Sequence, residues 1–254
     1  MSNVLSSLDD RLERVAQQRK WSYDIIRPVY DALRVRMTHA SNMIEGQHLT
    51  LQETESALQN EANQANFSHR QWEAIDHALA WDAMMRYSQS EDSINSDLLQ
   101  SLHALVMRHT LPHEAGHYRT VPVVAKGKSW TPSHPVTIPH KIKQVFDELK
   151  KTAIHPVTAA ACMHARLMAV HPFMDGNGRT GRLVLNLWLI RHHYPPSLID
   201  AQNRAAYYTA LQAADSGDYA PIVNIVLQGI FQTLTWYEQA LREQSSTPIF
   251  KNSV

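Results

Sequence analysis

A chain of 254 residues with 24 Lys+Arg against 24 Asp+Glu, 44% hydrophobic residues and 8 Gly describes a globular protein large enough to bury a core without metal or disulfide staples. Its single cysteine, Cys162, closes no intramolecular bridge, which argues against a disulfide-stapled secreted domain. Zero net charge argues against a generally basic nucleic-acid binder or a polybasic membrane anchor.

The opening residues Met1-Ser2-Asn3, soon followed by Asp9, Asp10, Arg11 and Glu13, lack the basic start and apolar stretch of a signal peptide. No window approaches the ~18 consecutive apolar residues of a membrane span. A cytoplasmic location, with no membrane and no nucleic-acid partner, is the expectation.

In chain order, apolar residues three and four apart among good helix formers predict helices over Asp24 to Met37, Asp76 to Tyr87, Ile94 to His109, Ile142 to Thr152, Val157 to Val170, Arg179 to His192, Arg204 to Ala214 and Tyr219 to Arg242. Residues 1–30 and 231–254 also read as amphipathic helices, suited to packing or to a homodimer interface. Pro156 and Pro221 sit at plausible first turns. Leu183, Val184, Leu185, Leu187, Trp188, Leu189 and Ile190 are apolar around the whole helical circumference, which predicts a central, buried helix. The helix before it carries Ala159, Ala160 and Ala161, small residues that permit close packing.

Strand-like sequence is confined to Thr120 to Ile138, where Val121, Val123, Val124, Val136, Thr137 and Ile138 flank the turn-forming Lys126-Gly127-Lys128. Pro122, Pro132, Pro135 and Pro139 exclude a central strand. The prediction is an all-α bundle with one exposed β-hairpin flap.

Between the two core helices lies His171-Pro172-Phe173-Met174-Asp175-Gly176-Asn177-Gly178-Arg179-Thr180-Gly181-Arg182, with three of the chain's eight glycines. Gly176 and Gly178 permit positive φ and a concave row of backbone N–H groups, and the loop feeds a helix N-terminus that attracts anions. Arg179 and Arg182, three apart, would share a face and grip phosphate oxygens. Asp175 is a hard oxygen ligand of the kind that holds Mg2+ together with substrate phosphates, and His171 can take a proton near neutral pH. A structural turn with His171 as a satisfied core histidine is the alternative. GxxxxGK[ST] and HExxH are both absent, and the fifteen histidines form no metal-binding pattern.

This loop resembles the Fic family motif HxFx[DE]GNGRxxR at every defined position. The resemblance extends to Gly116-His117-Tyr118-Arg119 and to Arg204 through Pro221, and covers about residues 95–230. It implies an α-helical Fic-like bundle that transfers AMP from ATP to a Ser, Thr or Tyr hydroxyl of a target protein. His171 would be the general base, Asp175 the Mg2+ ligand, Gly176, Asn177 and Gly178 the phosphate cradle, and Arg179 and Arg182 the partners of the β- and γ-phosphates. Phe173 would anchor the loop. Tyr207 and Tyr208 lie where the family contacts adenine, and the flap, through Val121, Val123 and Val124, would dock the target by main-chain pairing.

Ser41-Asn42-Met43-Ile44-Glu45-Gly46 is similar to the family's inhibitory motif [ST]xxxE[GN]. It implies an N-terminal helix, ended by Gly46, whose Glu45 forms a bidentate pair with Arg182 and competes with ATP; Arg34 and Arg36 are alternative partners for that carboxylate. The expected organisation is an N-terminal helical segment over residues 1–60 carrying this helix, packed as one unit with a catalytic domain over residues 61–254. Two alternatives remain at this level: a de-AMPylating phosphodiesterase in which Glu45 orients water, and a non-catalytic nucleotide-sensing adaptor.

Overall fold

The computed structural model describes residues 2–18, 23–46, 48–60, 66–123, 131–151 and 153–246. Ten α-helices run through them: α1 (Ser2–Gln18), α2 (Tyr23–Ile44), α3 (Leu51–Gln59), α4 (His69–Ser88), α5 (Ser96–Val106), α6 (Ile138–Lys151), α7 (Pro156–Val170), α8 (Asn177–Arg191), α9 (Arg204–Asp215) and α10 (Ala220–Ser246). All eight helices expected between Asp24 and Arg242 are present. The short α3 is not among the expectations, although its start was legible: Thr50 and Glu53 cap each other's backbone in a capping box. Ser68 and Gln71 do the same for α4.

Helices α7 and α8 pack most extensively against each other and form the centre of the bundle. Leu183, Val184, Leu185, Leu187 and Leu189 of α8 are buried, as are Ala159, Ala160 and Ala161 of α7. Gly181 lets the two axes approach, because a Cβ there would collide with Met168 and lie 3.2 Å from His164 Nδ1. Around this pair, α2, α4 and α5 cover α8, while α6, α9 and α10 cover α7. Arg11 of α1 donates to Glu238 of α10 at 2.7 Å, and Leu8 and Val15 of α1 are buried. No helix among the described residues is long and apolar enough to cross a membrane.

The hairpin expected over Thr120 to Ile138 is corrected. No strand occurs among the described residues; residues 135–137 form a 3₁₀ turn and Ile138 begins α6. The cause is proline: Pro135 opens the turn and Pro139 sits in the first turn of α6, positions where a missing N–H and a fixed φ favour helix over ladder. Val124 and the Lys126-Gly127-Lys128 turn lie outside the described residues.

The segment 195–199 is pinned between α8 and α10: Ser197 N–H donates to Asn186 at 2.8 Å, and its hydroxyl donates to Val226 O at 2.9 Å. Gly229 of α10 makes room for it, since a Cβ there would lie 2.6 Å from the Leu198 carbonyl oxygen. Gly229→Ala gains up to about 1 kcal/mol of helix propensity but must displace that backbone, at ~1–3 kcal/mol. A net loss of roughly 1–2 kcal/mol in urea-induced unfolding is expected, and an unchanged or raised midpoint would contradict this packing.

Candidate active site

The loop between α7 and α8 starts on a strained residue. His171 is the C-cap of α7 with φ +52°, a left-handed conformation that costs a non-glycine residue about 1–2 kcal/mol. Two hydrogen bonds hold it there: its N–H donates to Leu167 O at 3.0 Å, and its carbonyl accepts Arg119 Nε at 2.8 Å. The guanidinium of Arg119, buried to 2% exposure, also donates to the carbonyls of Val121 at 2.9 Å and of Ser133. Its backbone N–H reaches Pro172 O at 3.0 Å. A single buried cation therefore ties His171 to Val121 and to Ser133. The sequence quoted Arg119 only as part of a resemblance.

The middle of the loop is braced from below. Phe173 is buried and stacks on His103 of α5 with centroids 3.6 Å apart and planes 3° apart. The Gly116 N–H donates to His103 Nδ1 at 2.9 Å, so the ring proton sits on Nε2 and is donated to Asp175 O at 3.0 Å. Asn177 closes the turn on itself: Oδ1 accepts from Phe173 N–H and Nδ2 donates to Phe173 O, both at 2.9 Å. Its side-chain amide is thus a loop brace. Gly176 has φ +72°, and a side chain there would meet Met107 Sδ at 2.7 Å.

Helix α8 then opens with a N-terminus that no side chain caps. Its first amides, from Asn177 onward, have no carbonyl behind them in the helix and point their partial positive charge outward. The expected positive φ at Gly178 is absent; Gly178 is helical, and its role is space. A Cβ at that position would collide with Oε1 of Glu45 and lie 2.9 Å from Arg182 Nη1. The carboxylate of Glu45 therefore rests on the first turn of α8, at the anion seat.

Arg182 completes the seat. Its side chain is 6% exposed, and Nη2 donates to Glu45 Oε1 at 2.8 Å. The rest of the fork goes to Ser41, Nε to the hydroxyl at 3.0 Å and Nη2 to the carbonyl at 2.8 Å. The pair with Glu45 is thus single, not bidentate as expected: Ser41 takes Nε and shares Nη2, and Nη1 has no hydrogen-bond partner among the described residues. Burial opposes charge on Arg182, yet the adjacent Glu45 carboxylate and Tyr207 raise its pKa. The alternative partners of Glu45 are committed elsewhere: Arg34 to Asp82 at 2.8 Å, and Arg36 over the Trp236 ring at 4.9 Å.

Other expectations are redistributed. Arg179 turns away from Arg182 into the core, where it donates to Glu73 Oε1 of α4 at 3.0 Å and contacts Met107 Sδ at 3.6 Å. With both side chains 2–3% exposed, this is a buried ion pair. Tyr207 is 1% exposed and donates or accepts at His164 Nε2 at 2.7 Å, beneath Arg182, so it presents no face to a base. Tyr208 is half-buried at the end of α2. Val121 is 49% exposed and Val123 half-buried beside the loop.

The Asp175 side chain is 65% exposed, with Oδ1 on the Gly176 N–H at 2.6 Å and Oδ2 3.5 Å from Arg179. One outward carboxylate next to an anion seat suits a cation shared with substrate phosphates, the usual arrangement for Mg2+.

Two expectations follow. Glu73→Ala removes the buried partner of Arg179 and leaves its guanidinium only the exposed Asp175 carboxylate at 3.5 Å, which should lower the unfolding free energy by roughly 3 kcal/mol in denaturant titration. Burial lowers the pKa of His103 to about 4. The unfolded chain then binds a proton between the ordinary histidine value of ~6.5 and about 4 that the folded chain does not. Stability should fall as pH drops through that window, and the slope should shrink in His103→Gln; an unchanged slope would contradict this account.

Residues 93–189 match the family model of Fic/DOC. The protein adenylyltransferase fic-1 of Caenorhabditis elegans is 33% identical over 208 residues, which are 80% of this chain and 41% of that protein. The chain spans about half the length of the curated relatives it matches. The solved structure of Fic-1 from C. elegans superposes with a TM-score of 0.83 at 28% identity, over 96% of this chain and 73% of that one. A Fic domain containing signaling protein from Bacteroides thetaiotaomicron shares the fold, with a TM-score of 0.83 at 22% identity over 94% and 97% of the two chains. With the complete HxFx[DE]GNGRxxR loop set between its two central helices, the chain belongs to the Fic/DOC family.

Proposed function

We propose that this chain is a protein adenylyltransferase that transfers AMP from ATP to a Ser, Thr or Tyr hydroxyl of a target protein, and that Glu45 restrains it in cis. The observation that carries this reading is the Glu45 carboxylate resting on the uncapped first turn of α8 and on Arg182. A carboxylate there marks an anion seat of the kind a phosphate takes, built from helix amides and a buried guanidinium.

With Glu45 displaced, the amides of Gly178 and its neighbours and the Arg182 fork would hold the terminal phosphates, and Asp175 would hold Mg2+. The metal, when bound, neutralises phosphate charge. His171, fixed at the loop's start by Arg119, would accept the target's hydroxyl proton as the oxygen attacks the α-phosphorus. One P–O bond forms to the target, the bond to the β-phosphate oxygen breaks in line, and pyrophosphate leaves. Positioning and charge stabilisation then carry most of the rate. The stretch around Val121 and Val123, tied to His171 through the Arg119 bond to the Val121 carbonyl, would seat the target chain.

The test uses radiolabelled ATP with Mg2+ and the full chain. Glu45→Gly is expected to raise labelling of the chain itself or of lysate proteins by roughly 5- to 150-fold, the range of couplings near 1–3 kcal/mol. His171→Ala in that background should abolish it. Equal labelling with and without Glu45 would remove the brake, and full labelling without His171 would remove the mechanism. AMP released from a modified protein only when Glu45 is present would instead assign the reverse reaction.

A further inference from the structure

Helix α2 reaches its C-terminus one residue before Glu45, and the end is held from a direction the motif does not predict. Ile44 is fully buried, and Gly46, at φ +93°, turns the chain out of the helix. The turn closes with two short bonds, Glu45 N–H to Asn42 O and Gly46 N–H to Met43 O, both 3.0 Å. The Ile44 carbonyl is one of the last-turn oxygens that a helix leaves without a backbone donor. Arg204, the first residue of α9, supplies one: Nε donates to Ile44 O at 2.6 Å. Tyr208, one turn on, aims its hydroxyl at the same oxygen at 3.4 Å, and the Arg204 guanidinium lies 5.1 Å over the Tyr208 ring.

We infer that Arg204 is a positioning residue of the restraint, latching the last carbonyl of α2 so that Glu45 stays on Arg182. The inference rests on the proposed inhibitory role of Glu45. The last turn is gripped on two sides, by Arg182 on Ser41 and Glu45, and by Arg204 and Tyr208 on Ile44. The peptide between Ile44 and Glu45 links the two grips, so loss of one loosens the other. A cation at a helix C-terminus also complements the macrodipole there. Arg204 is itself exposed, so its removal perturbs little of the core.

The experiment combines AMP labelling with amide hydrogen exchange on the full chain. Arg204→Ala or Arg204→Gln is expected to raise labelling roughly three- to tenfold, less than Glu45→Gly, because one charge-assisted hydrogen bond is lost. Amides of residues 41–46 should exchange faster by a similar factor, while those of α7 and α8 do not change. Arg204→Lys, which keeps a charged donor beside the carbonyl, should recover much of the restraint. In Glu45→Gly the same Arg204 change should add nothing. A several-fold drop in that background would place Arg204 in nucleotide binding and overturn the latch, as would unchanged exchange over residues 41–46. Should Glu45→Gly show no transfer at all, the proposed activity fails, while the exchange measurement still decides whether Arg204 holds the end of α2.

Discussion

A helix N-terminus with no capping side chain and a buried guanidinium one turn further on form a site of concentrated positive potential, and everything at the centre of this molecule is arranged around it. The first amides of α8 and Arg182 are both taken from the same short stretch of chain, and the bundle closes α2 over them so that Glu45 fills the seat. Gly178 is what allows the contact, since any side chain there would occupy the carboxylate's place. Glycine in a helix ordinarily costs about 1 kcal/mol. Here it buys close approach of an anion to the helix amides.

Holding that seat in shape requires strong groups that never touch it. Arg119 fixes His171 in a left-handed conformation by taking its carbonyl, and His103 fixes Asp175 in the same way from the other side of Phe173. Asn177 locks the Phe173 peptide, and the Arg179–Glu73 pair anchors the start of α8 to α4. Each of these polar groups is buried and bonded, and each would be costly if left unpaired. Hydrogen bonds thus brace the loop together with the burial of Phe173.

The likeness in fold extends over nearly the whole described chain, beyond the 93–189 region that matches the family model. The helices outside that region have a physical task. Helix α2 supplies Ser41 and, one residue past its end, places Glu45; α4 supplies Glu73, and α9 supplies Tyr207 under Arg182 and Arg204 at the end of α2. The central pair α7 and α8 thus depends on elements from both ends of the sequence for the charges that surround its loop.

The sequence by itself determined the helical class, the position of nearly every helix, the central place of α8 and the identity of the twelve-residue loop, because periodicity, glycine and proline act within a few residues of themselves. It misjudged Thr120 to Ile138, where β-branched residues outvoted prolines that are better accommodated in a turn and a first helical turn. It also grouped Arg179 with Arg182 on the strength of their spacing. Only the tertiary structure sends one to Glu73 and the other to Ser41 and Glu45, since a guanidinium follows the carboxylate that the packed neighbour presents. The same holds for Tyr207, sunk beneath Arg182, and for the bonds of Arg119 to His171, His103 to Gly116 and Arg204 to Ile44, which join residues 52, 13 and 160 positions apart in the chain. No local pattern encodes such contacts, because they exist only once distant helices have been brought together by burial of their apolar faces.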